Sequence, residues 1–204
     1  MKIYGDIISP FVRMSMVCAY EAGLGDKVTL AETKVSPVEA NSSLVPVAPL
    51  GKIPVLITDH GHAVYDSRVI MEYLCHVAGN SSLIPDDGVK RFKVLTLQAL
   101  AQGMGDASVA YRYETGVRPK ELQWDGWKSR QRTRVQDSFD ELEKNWSPIL
   151  AEVNVGSIAV AVVLDYIDFR MPDWAWRDRR KSLTAFHDKF AKRPSMTKNG
   201  LPAK

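Results

Sequence analysis

The chain has 204 residues, 45% hydrophobic, 9% aromatic and 25% charged, a globular composition that excludes disordered, collagenous and low-complexity scaffolds. Lys and Arg number 27 against 24 Asp and Glu, and a net charge of +3 is too small to imply nucleic acid as a partner. The charge is unevenly split, with six basic and eight acidic side chains in residues 1–80 and 21 and 16 in the remainder, which suggests two different domains.

The first eighty residues alternate short extended runs with helical ones. Lys2–Tyr4 opens as a strand, and Ser9-Pro10 supplies an N-cap followed by proline at the first helical position. A helix from Pro10 to about Leu24 puts Phe11, Met14, Val17, Cys18 and Ala22 on one face, and Gly23 and Gly25 end it. Val28–Ala31 reads as a second strand, and Ser36–Leu44 as a short, irregular helix before the turn-rich Pro46–Pro49. Ile53–Thr58 and His62–Val64 read as strands joined by the turn Asp59-His60-Gly61. Asp66-Ser67 then caps a helix with Ile70, Met71 and Leu74 on its apolar stripe. This order favours one small mixed sheet with helices against it.

Asn80-Ser81-Ser82 and Pro85-Asp86-Asp87-Gly88 form a polar linker, after which strand signals disappear. Phe92–Tyr113 carries Leu97, Leu100, Ala101, Met104, Ala107 and Tyr111 at helical spacing. Val135, Phe139, Leu142 and Trp146 mark another helix. Asn154–Phe169 is apolar nearly all round, the pattern of a helix buried inside a bundle. Leu183, Phe186 and Phe190 mark a last helix, stopped by Arg193-Pro194.

Two cysteines, Cys18 and Cys75, exclude a disulfide framework and a cysteine-based zinc site, and both read as buried reduced thiols. The N-terminus lacks the apolar core of a signal peptide, and the longest apolar run, Val153–Leu164, is too short to span a membrane. A cytoplasmic protein with no membrane partner is the expectation.

Three stretches carry a resemblance: Ser9-Pro10-Phe11-Val12-Arg13, Gly51-Lys52-Ile53-Pro54-Val55-Leu56 and Asp66-Ser67-Arg68-Val69-Ile70. In this order they resemble the glutathione S-transferases, in particular bacterial members with a serine at the start of the first helix, over essentially the whole chain. The resemblance implies an α/β plus all-α fold: a thioredoxin-like N-terminal domain over residues 1–79, then an all-helical C-terminal bundle over 89–204. It also implies a homodimer, glutathione as co-substrate, a small electrophilic second substrate and no metal.

The same resemblance assigns roles. Pro54 would be a cis-proline that turns the Ile53 backbone toward glutathione, to pair with its cysteinyl unit like an added strand. Ser67 would hold the γ-glutamyl carboxylate at a helix start, where free N–H groups and the dipole favour an anion, with Asp66 facing the α-amino group. Lys52, or Lys34, would reach the glycyl carboxylate. Ser9 would be catalytic, its hydroxyl donating to the thiolate, with Phe11 beside it and Phe11 and Val12 as fallback activating positions. The electrophile pocket is expected between the domains, with Asp106, Tyr111 and Tyr113, and also Arg112, as lining candidates. Capping alone would explain Ser9, Asp66 and Ser67 equally well.

One departure stands out. Where the family begins its buried helix with a Ser/Thr-x-x-Asp box, this chain has Asn154-Val155-Gly156-Ser157; asparagine can cap and serine can return a weaker bond. Other constellations fail: His60 and His62 lack further metal ligands, no phosphate-binding glycine loop occurs, and Arg177, Arg179, Arg180 and Lys181 read as a solvated helix start. Besides conjugation, the fold admits a non-catalytic interaction protein, against which Pro54, Asp66 and Ser67 argue. It also admits glutathione-dependent peroxidase or thiol-transfer activity, against which serine at position 9 argues.

Overall fold

The computed structural model describes residues 1–86 and 88–202; Asp87, inside the expected linker, lies outside them. By internal contacts the chain groups into two units, Met1–Phe92 with Lys192–Lys204, and Lys93–Ala191.

The first unit is built on β1 (Lys2–Gly5), α1 (Pro10–Glu21), β2 (Thr29–Glu32), β3 (Val55–Ile57), β4 (Ala63–Val64) and α2 (Ser67–Ala78). The sheet order is β2-β1-β3-β4, with β1 parallel to β2 and antiparallel to β3. A parallel pair needs a crossover, and α1 supplies it. The hairpin turn holds β4 on β3, pairing Leu56 with Val64. Helices α1 and α2 pack on each other and bury Val12, Met14, Val17, Ile70, Met71 and Leu74. This is the thioredoxin-like arrangement the resemblance implies. Gly79 ends α2 at φ +61, a conformation that costs glycine nothing; its N–H and that of Asn80 return to the His76 and Cys75 carbonyls.

The expected helix at Ser36–Leu44 does not form; that stretch is turns. The Asn41 side chain takes the backbone N–H groups of Ser43 and Leu44 at 3.0 Å each, the local competition by which asparagine displaces a helix. Leu44 and Ala48 are nonetheless buried against Val55, with Tyr4 and Ile53 beside them, so the irregular segment covers part of the sheet.

The second unit is helical: α3 (Gly88–Gly116), whose first turn belongs to the first unit, then α4 (Asp125–Asn145), α5 (Ser147–Leu150), α6 (Val155–Arg170) and α7 (Lys181–Phe190). No strand follows Gly88 among the described residues. Every residue from Asn154 to Leu164 is buried, as the all-round apolar pattern requires. The start of α6 is closed reciprocally: Asn154 Oδ1 accepts from the Ser157 N–H, and Ser157 Oγ accepts from the Asn154 N–H, both at 2.9 Å. Serine thus completes the box where aspartate was expected. At Gly156 a Cβ would stand 2.8 Å from Leu97 Cβ and 2.9 Å from the Val94 carbonyl, so α3 and α6 approach at a position only glycine fits.

The basic cluster before α7 is partly structural, unlike the solvated helix start expected. Arg180 is 9% exposed and donates to Asp140, the Trp176 carbonyl and Gln136. Arg177 lies over the Trp176 ring at 4.1 Å and donates to Asp168 at 2.6 Å.

After α7 the chain rejoins the first unit, where Pro194 opens a short helix, α8 (Pro194–Lys198). Sequence reading placed this segment at the end of the helical bundle; its partners are on α1. Glu21 accepts both arms of the Arg193 guanidinium at 2.7 and 2.8 Å and the Ser195 hydroxyl, and Arg13 Nε donates to the Asn199 carbonyl at 2.7 Å. A planar fork on a carboxylate is a strong geometry, and the Glu21 side chain is only 10% exposed.

Candidate functional site

Three local structures of the first unit hold the residues singled out for glutathione: the start of α1, the approach to β3 and the start of α2. They belong to neighbouring elements, since α1 packs on α2 and α2 on β3.

Asp6 shapes the loop before α1 by accepting from the Ile8 N–H through its carboxylate and from the Ser9 N–H through its carbonyl, both at 2.9 Å. Ser9 stands at the N-cap with extended backbone, and Pro10 fixes the first helical position. The Ser9 hydroxyl makes no capping bond. It is half-buried at the positive end of a twelve-residue helix, a donor left available where negative charge is favoured. Phe11, in the first turn, is half-buried too.

The Ile53–Pro54 bond is cis, as the resemblance implied. Pro54 is buried and Ile53 half-buried. Among the described residues no hydrogen bond reaches the Ile53 N–H or C=O, which leaves a short edge able to pair with an extended ligand. Lys52 and Lys34 are exposed and take part in no ion pair among the described residues.

At the start of α2, Asp66 caps the helix by accepting from the Arg68 N–H at 3.0 Å and pairs with the Arg68 guanidinium at 3.1 Å. Partial burial raises the Asp66 carboxyl, but the Arg68 side-chain and backbone bonds outweigh it, and the net shift is downward. A carboxylate that stays ionised suits an ammonium partner, and half of its side chain is exposed. Ser67 occupies the first helical position at 1% exposure. The helix dipole favours negative charge at this start, where the Asp66 carboxylate already takes the Arg68 N–H.

The electrophile candidates all lie on α3, in the second unit. Asp106 is exposed, Tyr113 is exposed, and Tyr111 is half-buried with its ring edge-on to Trp174 at 5.0 Å. Tyr111 therefore carries a packing role whatever else it does. Sequence reading missed Glu114, buried on the same helix, which accepts from the Trp124 N–H at 2.8 Å and from Arg118 at 2.7 Å. Those bonds lower its carboxyl, the Trp124 N–H first, and fasten the segment after α3. No local motif announces such a contact.

One further polar cluster joins Asp165, Asp168 and His187, whose ligand-type atoms lie within 4.8 Å of one another. Its cation is already a guanidinium: Arg177 reaches both Asp168 and His187, Trp176 Nε1 donates to Asp168 at 2.7 Å, and His187 bonds Asp165 at 2.6 Å. It is a packed network rather than an open ligand set. His60 and His62 are both exposed at the hairpin.

Known proteins resemble this chain in sequence and in fold. Residues 8–77 match the family described as "Glutathione S-transferase, N-terminal domain", and residues 125–189 its "Glutathione S-transferase, C-terminal domain". A curated Escherichia coli K12 protein, "Uncharacterized GST-like protein YibF", is 30% identical over 99% of both chains. The crystal structure of a glutathione transferase family member from Pseudomonas fluorescens Pf-5 with bound glutathione superimposes with a TM-score of 0.96, at 39% identity and 99% coverage of each chain. A second structure from that organism, at 39% identity with a TM-score of 0.91 and full coverage of both chains, holds S-(propanoic acid)-glutathione.

Proposed function

The chain belongs to the glutathione S-transferase family, and from that premise we propose that it binds glutathione and conjugates its thiolate to small electrophiles. The observation that carries the reading is the glutathione bound by the 39%-identical neighbour, whose fold this chain repeats over 99% of its length. The neighbour's S-substituted glutathione adds weight, because a conjugate of that kind is what the reaction would leave.

In this proposal the start of α2 takes the γ-glutamyl end. Ser67 holds the carboxylate at the positive end of the helix, and Asp66 faces the ammonium. The open Ile53 backbone next to cis Pro54 pairs with the cysteinyl unit, and Lys52 reaches the glycyl carboxylate. The sulfur then lies by α1, where Ser9 donates to it and the helix dipole favours the anion, with Phe11 packed alongside. A free thiol has a pKa near 8.5, and each unit by which that falls is about 1.4 kcal/mol of thiolate stabilisation. The thiolate attacks the electrophile's carbon, a thioether forms, and a leaving group departs or a proton is taken up. Asp106, Tyr111 and Tyr113 are the proposed contacts for the electrophile.

The protein is further proposed to work as a homodimer, to serve detoxification and to be cytoplasmic. Exposed apolar side chains on the first unit, among them Leu50, Val69 and Phe92, support the dimer, and no described helix is long and apolar enough to cross a membrane. The test is a calorimetric titration with glutathione, followed by turnover assays with halogenated aromatics, epoxides and organic peroxides. Saturable binding with conjugate formation is expected. Binding without turnover on any of the three classes would favour an interaction protein.

A further inference from the structure

Two thiols that the proposed reaction does not use face each other across the α1–α2 packing. Cys18 on α1 is fully buried and Cys75 on α2 is 5% exposed; both are free thiols, and their Sγ atoms lie 4.0 Å apart. Neither is a lone cysteine in a core: the two sulfurs are hydrogen-bonded to each other, and Cys18 Sγ also lies 3.8 Å from the Met71 carbonyl. A disulfide needs a separation of about 2.05 Å, so the sulfurs must close by roughly 2 Å, within the reach of side-chain rotation and a small helix adjustment.

We propose that Cys18 and Cys75 form an oxidisable pair, a modification site at which hydrogen peroxide closes a disulfide between α1 and α2. The roles of the two sulfurs differ. The contact between the two sulfurs lowers the Cys75 thiol and, with burial, raises Cys18. Cys75, 5% exposed where Cys18 is fully buried, is the sulfur the oxidant meets first, and it is the attacking thiolate with Cys18 the resolving thiol. The Cys75 sulfur attacks one peroxide oxygen, the O–O bond breaks, and the departing hydroxide takes up the proton that Cys75 released, giving a sulfenic acid and water. The Cys18 sulfur then displaces that hydroxyl, its own proton leaving with it as a second water. Two thiols are oxidised by two electrons, and one peroxide is reduced to two waters. Burial selects the oxidant by size: only the 5% exposed Cys75 offers an approach, too narrow for glutathione disulfide.

The position of the pair gives the bond a consequence. Cys18 is nine residues along α1 from Ser9, and Cys75 eight along α2 from Ser67, so the disulfide would tie together the two helices whose starts make the proposed glutathione site. This consequence rests on the proposed function; formation of the bond does not.

The experiment treats the full chain with hydrogen peroxide and reads intact mass and unreduced peptide maps. The expected result is a loss of two hydrogens, reversed by dithiothreitol, and a linked pair of peptides containing Cys18 and Cys75. In Cys18→Ser, Cys75 should stop at the sulfenic acid and be trapped by dimedone; in Cys75→Ser, Cys18 should stay reduced. If both thiols of the treated wild-type chain remain alkylatable after denaturation, or cross-links form only between chains, the proposal is overturned, and that readout needs no variant to fold. Glutathione titrations of the oxidised and reduced chains complete the test, with a changed affinity expected. A disulfide with unchanged affinity refutes the coupling alone, and a reduced chain that fails to bind glutathione refutes the proposed function alone.

Discussion

The start of α1 and the start of α6 are built from similar residues to opposite ends. At α6, Asn154 and Ser157 exchange both capping bonds, and the Asn154 amide also donates to the Ile149 and Glu152 carbonyls at 3.0 and 3.2 Å. Every polar atom is spent inside the protein, as a helix start at 2% exposure demands. At α1, Ser9 occupies the same cap position half-buried, and its hydroxyl bonds nothing in its own helix. A cap that closes on itself stabilises the fold. One that stays open leaves a donor and a helix dipole for a ligand.

The most severe way to break this comparison is Ser9→Ala. Because the hydroxyl makes no capping bond, stability should hardly change, while turnover at neutral pH should fall by about 10–1,000-fold if Ser9 serves the thiolate. Ultraviolet absorbance of the bound thiolate against pH checks it: the titration should move to higher pH in the variant. Superimposed curves would take Ser9 out of the mechanism, and attention would shift to Phe11 and Val12.

Ser67→Ala comes next, with an expected loss of about 1–3 kcal/mol in glutathione affinity, the range for removing a partner of a charged group. Calorimetry on the folded variant decides it, and an unchanged Kd would remove Ser67 from the site. Asn154→Ala sharpens the contrast from the other side. It should lower unfolding stability by about 1–2 kcal/mol in denaturant melts and leave glutathione affinity alone.

The smallest effect is expected at Glu21. Burial raises its carboxyl, but the Arg193 fork and the Ser195 hydroxyl outweigh it, so its pKa in the folded chain lies below the ordinary 4.5. A depressed carboxyl adds stability above the unfolded-state value and loses it as pH falls through the folded one. Wild type should therefore lose its advantage over Glu21→Gln as melts are run from about pH 7 to about pH 3. Parallel Tm profiles would show that the clamp contributes nothing.

Much of this protein could be read without coordinates because the relevant signals are short-range. Asp66 and Asn154 announce helix starts through side chains that take backbone N–H groups within three residues, and Pro10 does so by its fixed backbone at the first helical position; the structure puts helices at all three. The all-round apolar run of α6 announces burial by the same local logic. The motif around Pro54 drew its meaning from the family resemblance, since proline alone leaves the isomer open.

What only the tertiary structure decided lies between residues far apart in the chain. Glu21 meets Arg193 across 172 positions, Cys18 meets Cys75 across 57, and Arg180 leaves the solvent for Asp140 and Gln136 on α4. Even Ser36–Leu44 was settled this way in part, because Asn41 took the backbone bonds while Leu44 found its burial on the sheet. Periodicity and capping report how a segment satisfies its own backbone. They carry no record of which distant side chain will be pressed against it, because packing makes that choice once the layers have met.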